Sequence, residues 1–223
     1  LIPITFGLRI LFVSNPIGAG VLLFPDALAL GVTIFWTLGM QNSMNFIDGL
    51  DGLSGGISLL AAVTLGLIAL PTSPLLAALC FTLAGALVGF LRHNFHPASI
   101  YMGTSGILAV AYALAVLAIL GTAKVAAALL ILGVPIIDAF FVILGRLLAG
   151  RSPYTPDKSH IHRRLLDNGF SHRSAVLVLY GITALLSIGA LLLTESATLY
   201  AFAGLLVVLS GVVVYLSRRA EGL

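Results

Sequence analysis

Asn42-Ser43-Met44-Asn45-Phe46-Ile47-Asp48-Gly49-Leu50-Asp51-Gly52-Leu53-Ser54-Gly55-Gly56 follows directly on an apolar run, Ala27 to Met40, that alone would read as the middle of a membrane helix. The stretch brings together two amides, two carboxylates and four glycines. If the helix continues, Asn42, Asn45 and Asp48 fall at i, i+3 and i+6 and their polar heads share one face. Asp51 joins them if the last turn is still helical. A glycine after each acid suits a helix end where the backbone bends tightly and approaches a ligand closely. Capping alone needs one side-chain oxygen, not four polar side chains. The pattern therefore predicts the polar floor of an active site at a membrane surface.

Composition sets the solvent. The chain is 60% hydrophobic and 9% charged, with a mean hydropathy of +1.14, against about 25% charged residues in soluble domains. Its apolar segments approach the ~20 residues needed to cross a bilayer, and strand alternation is absent, so the expectation is an all-α polytopic helical bundle. The single cysteine, Cys80, sits in an apolar run and excludes a disulfide framework or a cysteine metal cluster. The opening Leu1-Ile2-Pro3-Ile4 carries no starting methionine or basic signal region and reads as the middle of a protein. Residues 1–223 are expected to form one integral membrane domain, truncated at its N-terminus.

Residues 1–24 read as the end of one helix and an extracytoplasmic connection. Seven full spans follow, at about 26–46, 54–70, 75–91, 106–120, 125–145, 174–193 and 196–216. Alternation puts the loops 47–54, 92–105 and 146–173 on the same side as the C-terminal tail. That side holds nine of the eleven Lys/Arg residues, all five histidines and five of the eight acids, leaving Arg9 and Lys124 opposite. By the positive-inside rule it is the cytoplasm.

Asp48 and Asp51 lie where an unpaired carboxylate is costly and tends to be functional. In the second polar loop, Arg92 reads as a topological anchor, while the Asn94 amide can read a base edge and the Tyr101 ring can stack on one. Gly103-Thr104-Ser105-Gly106 opens the next helix, whose first N–H groups form a weak anion site. The loop 146–173 is strongly basic: Arg151, Lys158, Arg163 and Arg164 with His160 and His162 form either a lipid-headgroup contact or a phosphate clamp. The His-x-His spacing admits zinc, but carboxylate and amide oxygens elsewhere favour magnesium. Asp138, inside the fifth span, reads as a buried hydrogen-bonding partner between helices, with a proton-relay role as the alternative.

Three motifs in order, Asn45-Phe46-Ile47-Asp48-Gly49-Leu50-Asp51-Gly52-Leu53, Asn94-Phe95-His96-Pro97-Ala98 with Tyr101-Met102-Gly103, and Gly150-Arg151-Ser152-Pro153 with Asp157-Lys158-Ser159-His160-Ile161-His162, carry a family resemblance. Together they resemble the polyprenyl-phosphate N-acetylhexosamine-1-phosphate transferases, and within them the N-acetylglucosamine-1-phosphate branch more than the muramoyl-pentapeptide branch. The resemblance implies transfer of a sugar-1-phosphate from a UDP-sugar to undecaprenyl phosphate, with release of UMP, in cell-envelope polysaccharide synthesis. It implies Mg2+, with Mn2+ as a substitute, and an inner-membrane location with the site facing the cytoplasm. Asp48, Asp51, His160 and His162 would be catalytic; Asn45, Asn94, Tyr101, Gly103, Arg151, Arg163 and Arg164 would bind substrate; Asp48 and Thr104 would hold the metal. The expected partners are the UDP-sugar, the lipid phosphate and membrane lipids, without nucleic acid, and with a homodimer among the assemblies allowed.

Three departures from the family stand in the sequence. No Asp-Asp pair occurs, Thr104 stands where the family has a magnesium-binding aspartate, and Arg163 stands where a further histidine is common. They keep two rival readings open: a non-catalytic UDP-sugar or lipid-phosphate binder on the same scaffold, and a transporter using Asp138.

Overall fold

The computed structural model describes residues 5, 7–15, 20–121, 124–148, 150, 152 and 160–221. Arg151 and Lys158 of the basic loop lie outside them. The described chain begins with a short antiparallel hairpin, β1 (Phe12–Ser14) on β2 (Val21–Leu23), with Val13 opposite Leu22. Residues 1–24 read in sequence as a helix end and a connection; Thr5 is helical, most of the expected helix end lies outside the described residues, and the connection carries this hairpin. It is favoured because both segments are apolar or β-branched and an Asn15 N–H to Gly20 C=O bond closes its mouth.

The rest is helical: α1 (Asp26–Ile47), α2 (Leu53–Ala69), α3 (Pro74–Asn94), α4 (Gly103–Leu120), α5 (Lys124–Ile131), α6 (Gly133–Leu148), α7 (Ile161–Asp167), α8 (His172–Leu192) and α9 (Glu195–Glu221). Local signals set several ends. The Ser73 hydroxyl accepts from the Leu76 N–H with Pro74 at the first helical position, and Ser171 accepts from the Ser174 N–H. Among the described residues, α3, α4 and α8 are long and apolar enough to cross a membrane, and the α5–α6 pair makes a fourth span if counted as one. The protein is an all-α membrane protein, with three to four such candidate spans among the described residues.

The expected continuous span 125–145 is instead two helices bent by 75° at Leu132. Pro135 explains the break. Lacking an N–H, it cannot bond the Ile131 carbonyl, and its ring crowds the preceding turn. Gly133 lets the outside of the elbow press on α9, since a Cβ there would lie 2.5 Å from Leu205 Cδ2.

At the centre stands α2, buried on nearly all sides and packed by α3, α8, α4 and α5. Its 17 residues are short for a span, and small residues let its neighbours come close, the usual basis of helix association where lipid removes the hydrophobic drive. Added Cβ atoms would meet Leu91 of α3 at Gly55, Phe81 of α3 at Gly66 and Tyr180 of α8 at Gly56. α1 is fastened to α4 by two side chains, Trp36 Nε1–H to Ala115 C=O at 3.1 Å and Gln41 Nε2–H to Leu108 C=O at 3.2 Å. The outer surface is apolar, with Phe35, Leu75 and Leu192 at least 74% exposed, as a lipid-facing surface requires.

Gly56→Ala should destabilise the bundle, because its Cβ would fall 1.9 Å from the Tyr180 ring. The expected cost is about 1–3 kcal/mol, read by thermal unfolding in detergent. Combining it with Tyr180→Ala should cost less than the sum of the two single changes; strict additivity would show that the two residues do not touch.

Candidate active site at the polar end of α1

The helix α1 stops at Ile47, and Gly49 N–H folds back onto the Ile47 carbonyl at 2.7 Å. Asp48 is therefore the C-cap and Asp51 lies in the turn, not on the helical face that carries Asn42 and Asn45. The turn passes through Gly52 at φ +80°, a left-handed conformation that favours glycine. Both polar groups of this residue are held. Its N–H donates to Asn94 Oδ1 at 3.1 Å, and its carbonyl accepts from the Tyr180 hydroxyl.

Asn94, expected to contact the nucleotide, is only 6% exposed and uses its other end too, Nδ2–H donating to Ile100 C=O at 2.9 Å. With both ends of its amide bound to protein, Asn94 braces two loops.

The two acids of the turn part company. Asp48 is exposed, with Oδ1 accepting from the Ser54 hydroxyl. Partial desolvation by the surrounding protein holds its carboxyl above the usual range, opposed by that hydroxyl. Asp51 turns to the α3–α4 connection, its Oδ2 lying 2.8 Å from His96 Nδ1 and accepting from the Ala98 N–H at 3.2 Å. The His96 hydrogen bond, with the Ala98 N–H and nearby imidazoles adding to it, pulls its carboxyl below the usual range against the effect of burial.

The histidines of the basic loop, read in sequence as part of a phosphate clamp or a lipid-headgroup contact, are buried. His160 is 8% and His162 2% exposed. Asp138 of α6 places them: its Oδ2 lies 2.8 Å from His160 Nδ1 and its Oδ1 accepts from the Ile161 N–H at 2.7 Å. The two imidazoles lie nearly parallel with centroids 5.6 Å apart, and Phe46 of α1 closes on His160 at 5.7 Å. The buried Arg146 guanidinium also approaches Phe46, 5.7 Å from the ring centroid. His162 meets the Asp48–Asp51 turn directly: a Cβ on Gly49 would lie 2.2 Å from its Nε2. Glycine at 49 thus lets the α7 segment seat beside Asp48.

The other expected residues differ in exposure. Arg163 is exposed and Arg164 half-buried. Tyr101 is 74% exposed, and Gly103 and Thr104 lie exposed at the start of α4. Asn45 is half-buried on the last turn of α1. Sequence reasoning passed over Ser54, His96, His172, Arg146 and Tyr180. A serine six residues after an acid gives no periodic signal, and Tyr180 joins Gly52 across 128 residues.

A cavity of about 670 Å3 runs along α1 from Gly31 to Phe46, bounded by Leu129 of α5 and by α6. Its walls are apolar side chains of α1 and α6, among them Phe35, Trp36, Phe46, Ile136 and Phe140, and its polar margin is Asn42 and Ser43. For a metal, Asp48 offers a hard carboxylate oxygen beyond the one bonded to Ser54, with the Asn45 amide one turn before it in the chain. This donor set suits magnesium better than zinc.

Burial, together with His160 and Arg163, lowers the His162 pKa from 6.5 to about 4, opposed by Asp138. Only the unfolded chain's imidazole then gains a proton between those values. Stability should fall as the pH drops from 6.5 toward about 4 and level off below it, a linkage worth roughly 3 kcal/mol. His162→Gln should flatten that part of the profile in denaturant unfolding. A parent-to-variant difference that is constant across the window would contradict the neutral, buried state.

The sequence profile of glycosyl transferase family 4 matches residues 1–122. The chain is 40% identical over 180 residues to the probable undecaprenyl-phosphate N-acetylglucosaminyl 1-phosphate transferase of Bacillus subtilis, covering 78% of this chain and 50% of that protein. It is 32% identical over 199 residues to the decaprenyl-phosphate N-acetylglucosaminephosphotransferase of Mycobacterium tuberculosis, covering 78% and 49%. It is also 44% identical over 99 residues to the phospho-N-acetylmuramoyl-pentapeptide-transferase of Trichormus variabilis, covering 42% and 27%. The chain thus spans about half the length of the curated relatives over which it aligns most fully. The profile match covers more than half of the 223 residues and includes the Asp48–Asp51 turn and the Asn94 brace, and on that ground the chain belongs to glycosyl transferase family 4.

Proposed function

We propose that the protein transfers N-acetylglucosamine-1-phosphate from its UDP-sugar to undecaprenyl phosphate, releasing UMP. The observation that carries this reading is that the turn bearing the exposed Asp48 carboxylate meets the His160–His162 segment, and that Phe46, which faces His160, also lines the apolar cavity. A lipid phosphate needs an apolar channel for its tail and a charged site at its mouth. A UDP-sugar needs access from water. The names of the relatives support the same donor and acceptor classes.

In the proposed reaction an oxygen of the lipid phosphate attacks the sugar-bearing β-phosphorus of the UDP-sugar. A new P–O–P linkage forms as the bond to the α-phosphate breaks, and the electron pair leaves with UMP. Such transfers are governed by alignment and charge neutralisation. Asp48, with Asn45 and Thr104, would hold Mg2+, which when bound neutralises diphosphate charge. Exposed Arg163 and half-buried Arg164 supply cationic hydrogen bonds to phosphate oxygens, and Tyr101 offers a ring to the uracil. Asp138 keeps His160 oriented, and the buried His162 shapes the seat of the turn as a neutral group. Asp51 fixes the turn from the α3–α4 side. The one-sided distribution of Lys and Arg supports seven crossings with this site facing the cytoplasm, and a homodimer is compatible with the wide apolar outer surface.

One observation favours a second reading. Thr104 supplies a neutral hydroxyl where the family has a carboxylate, which fits a binder of UDP-sugar without turnover. Radiolabelled UDP-N-acetylglucosamine, undecaprenyl phosphate and Mg2+ with the purified protein separate the two, since UMP release requires the enzyme. Asp48→Asn should lower turnover by about 100-fold or more. Thr104→Asp should strengthen magnesium dependence. Saturable nucleotide binding without UMP would establish the binder instead, and unchanged metal affinity in Thr104→Asp would remove position 104 from the metal site.

A further inference from the structure

Asp51, His96 and His172 come from three separate segments: the α1–α2 turn, the α3–α4 connection and the first residue of α8. Each offers one ligand atom, and these atoms all lie within 4.8 Å of one another. We propose that the three side chains form a binding site for a divalent transition metal ion, zinc by donor type, distinct from any magnesium held by Asp48.

Four observations carry the assignment. First, two imidazoles and one carboxylate are a borderline ligand set that suits zinc and that magnesium binds poorly. Second, Asp51 is already held in place, its Oδ2 accepting from the Ala98 N–H at 3.2 Å beside His96 Nδ1 at 2.8 Å. The His96 carbonyl in turn accepts from Arg173 Nε–H at 3.2 Å, so the outer groups that orient such ligands are present. Third, His172 Nε2 is buried with no hydrogen-bond partner among the described residues. An unsatisfied buried polar atom costs about 1–3 kcal/mol, which an ion coordinated by this nitrogen offsets. Fourth, the site is no part of the His160–His162 cluster: Gly49 of the turn meets His162, whereas Asp51 meets His96.

The two rings are stacked, with centroids 4.0 Å apart and planes inclined by 16°. In-plane lone pairs of parallel rings do not converge on one point, so binding tilts one imidazole out of the stack. That motion is a side-chain rotation, and it exchanges the Asp51–His96 hydrogen bond for two metal bonds. Water completes the coordination. The consequence is a clamp joining the turn behind Asp48 to α3 and α8, independent of whether the sugar-phosphate transfer proposed above takes place.

The test uses the full chain in detergent after treatment with a chelator. Zn2+ is titrated against a chromophoric competitor, and Co2+ is added separately to read its visible ligand-field bands. The expected result is one tight equivalent of Zn2+ that excess Mg2+ does not displace, with Co2+ bands typical of a low-coordinate nitrogen and oxygen site. His172→Ala and His96→Gln should each weaken Zn2+ binding by at least ~10–100-fold, while His93→Ala, an exposed neighbour outside the trio, binds as the parent does. Retained helical circular dichroism identifies variants that fold, and the parent's Co2+ spectrum stands without any variant. Absence of a tight equivalent in the parent, parent-like binding by folded His172→Ala, or loss of the site in His162→Gln instead would overturn the proposal.

Discussion

Gly52 is pinned from both sides, its N–H by the Asn94 amide and its carbonyl by the Tyr180 hydroxyl. The chain there leaves α1 and enters α2: the N–H of the buried Gly52 has no helix partner, while its carbonyl opens α2 by accepting from the Gly56 N–H at 2.9 Å. Two other helices each add one side chain, Asn94 satisfying the N–H and Tyr180 sharing the carbonyl. This fixes where α3 and α8 stand relative to the α1–α2 turn, and hence where His96 and His172 meet Asp51. The glycines at 52, 55 and 56 are the condition for it, because any larger residue would displace Phe95, Leu91 or Tyr180.

A second constraint positions the other half of the site. Asp138 sits 5% exposed on α6 and accepts from both the Ile161 backbone N–H and, on one assignment of its tautomer, the His160 ring. Isolated buried carboxylates are costly unless hydrogen-bonded, so this one draws the start of α7 against α6. The outcome is that two imidazoles of a segment read from sequence as a phosphate clamp or a lipid-headgroup contact are buried in the protein. Charge remains outside on Arg163 and Arg164.

Much of the architecture is legible from the chain alone. Helix ends fall within a few residues of the expectation wherever a serine cap or a proline marks them, as at Ser73-Pro74 and Ser171. The polar stretch after Met40 announces a site because acids and amides in apolar surroundings are costly unless they bind something. What stayed hidden depends on contacts between distant segments. Nothing near Asp51 reveals that it pairs with His96 rather than joining Asp48. His162 looks like a cation in sequence and is neutral in place, since burial is set by α6 and the turn, not by its neighbours in the chain. The elbow at Leu132 was foreshadowed by Pro135, but a proline in a membrane helix can be absorbed by its neighbours, and only the fit of Gly133 against Leu205 makes the break sharp.

The elbow has a geometric corollary. Two rods inclined at 75° cannot both follow the bilayer normal. At about 1.5 Å per residue, at least one of α5 and α6, 8 and 16 residues long, therefore gives a large part of its length to breadth instead of depth. The exposed Phe35 of α1 and Phe140 of α6 line the cavity between the two helices, so its flank is a side window rather than a wall. A molecule with a long hydrocarbon tail can pass its head through such a window to the water-facing rim while the tail never leaves the oil.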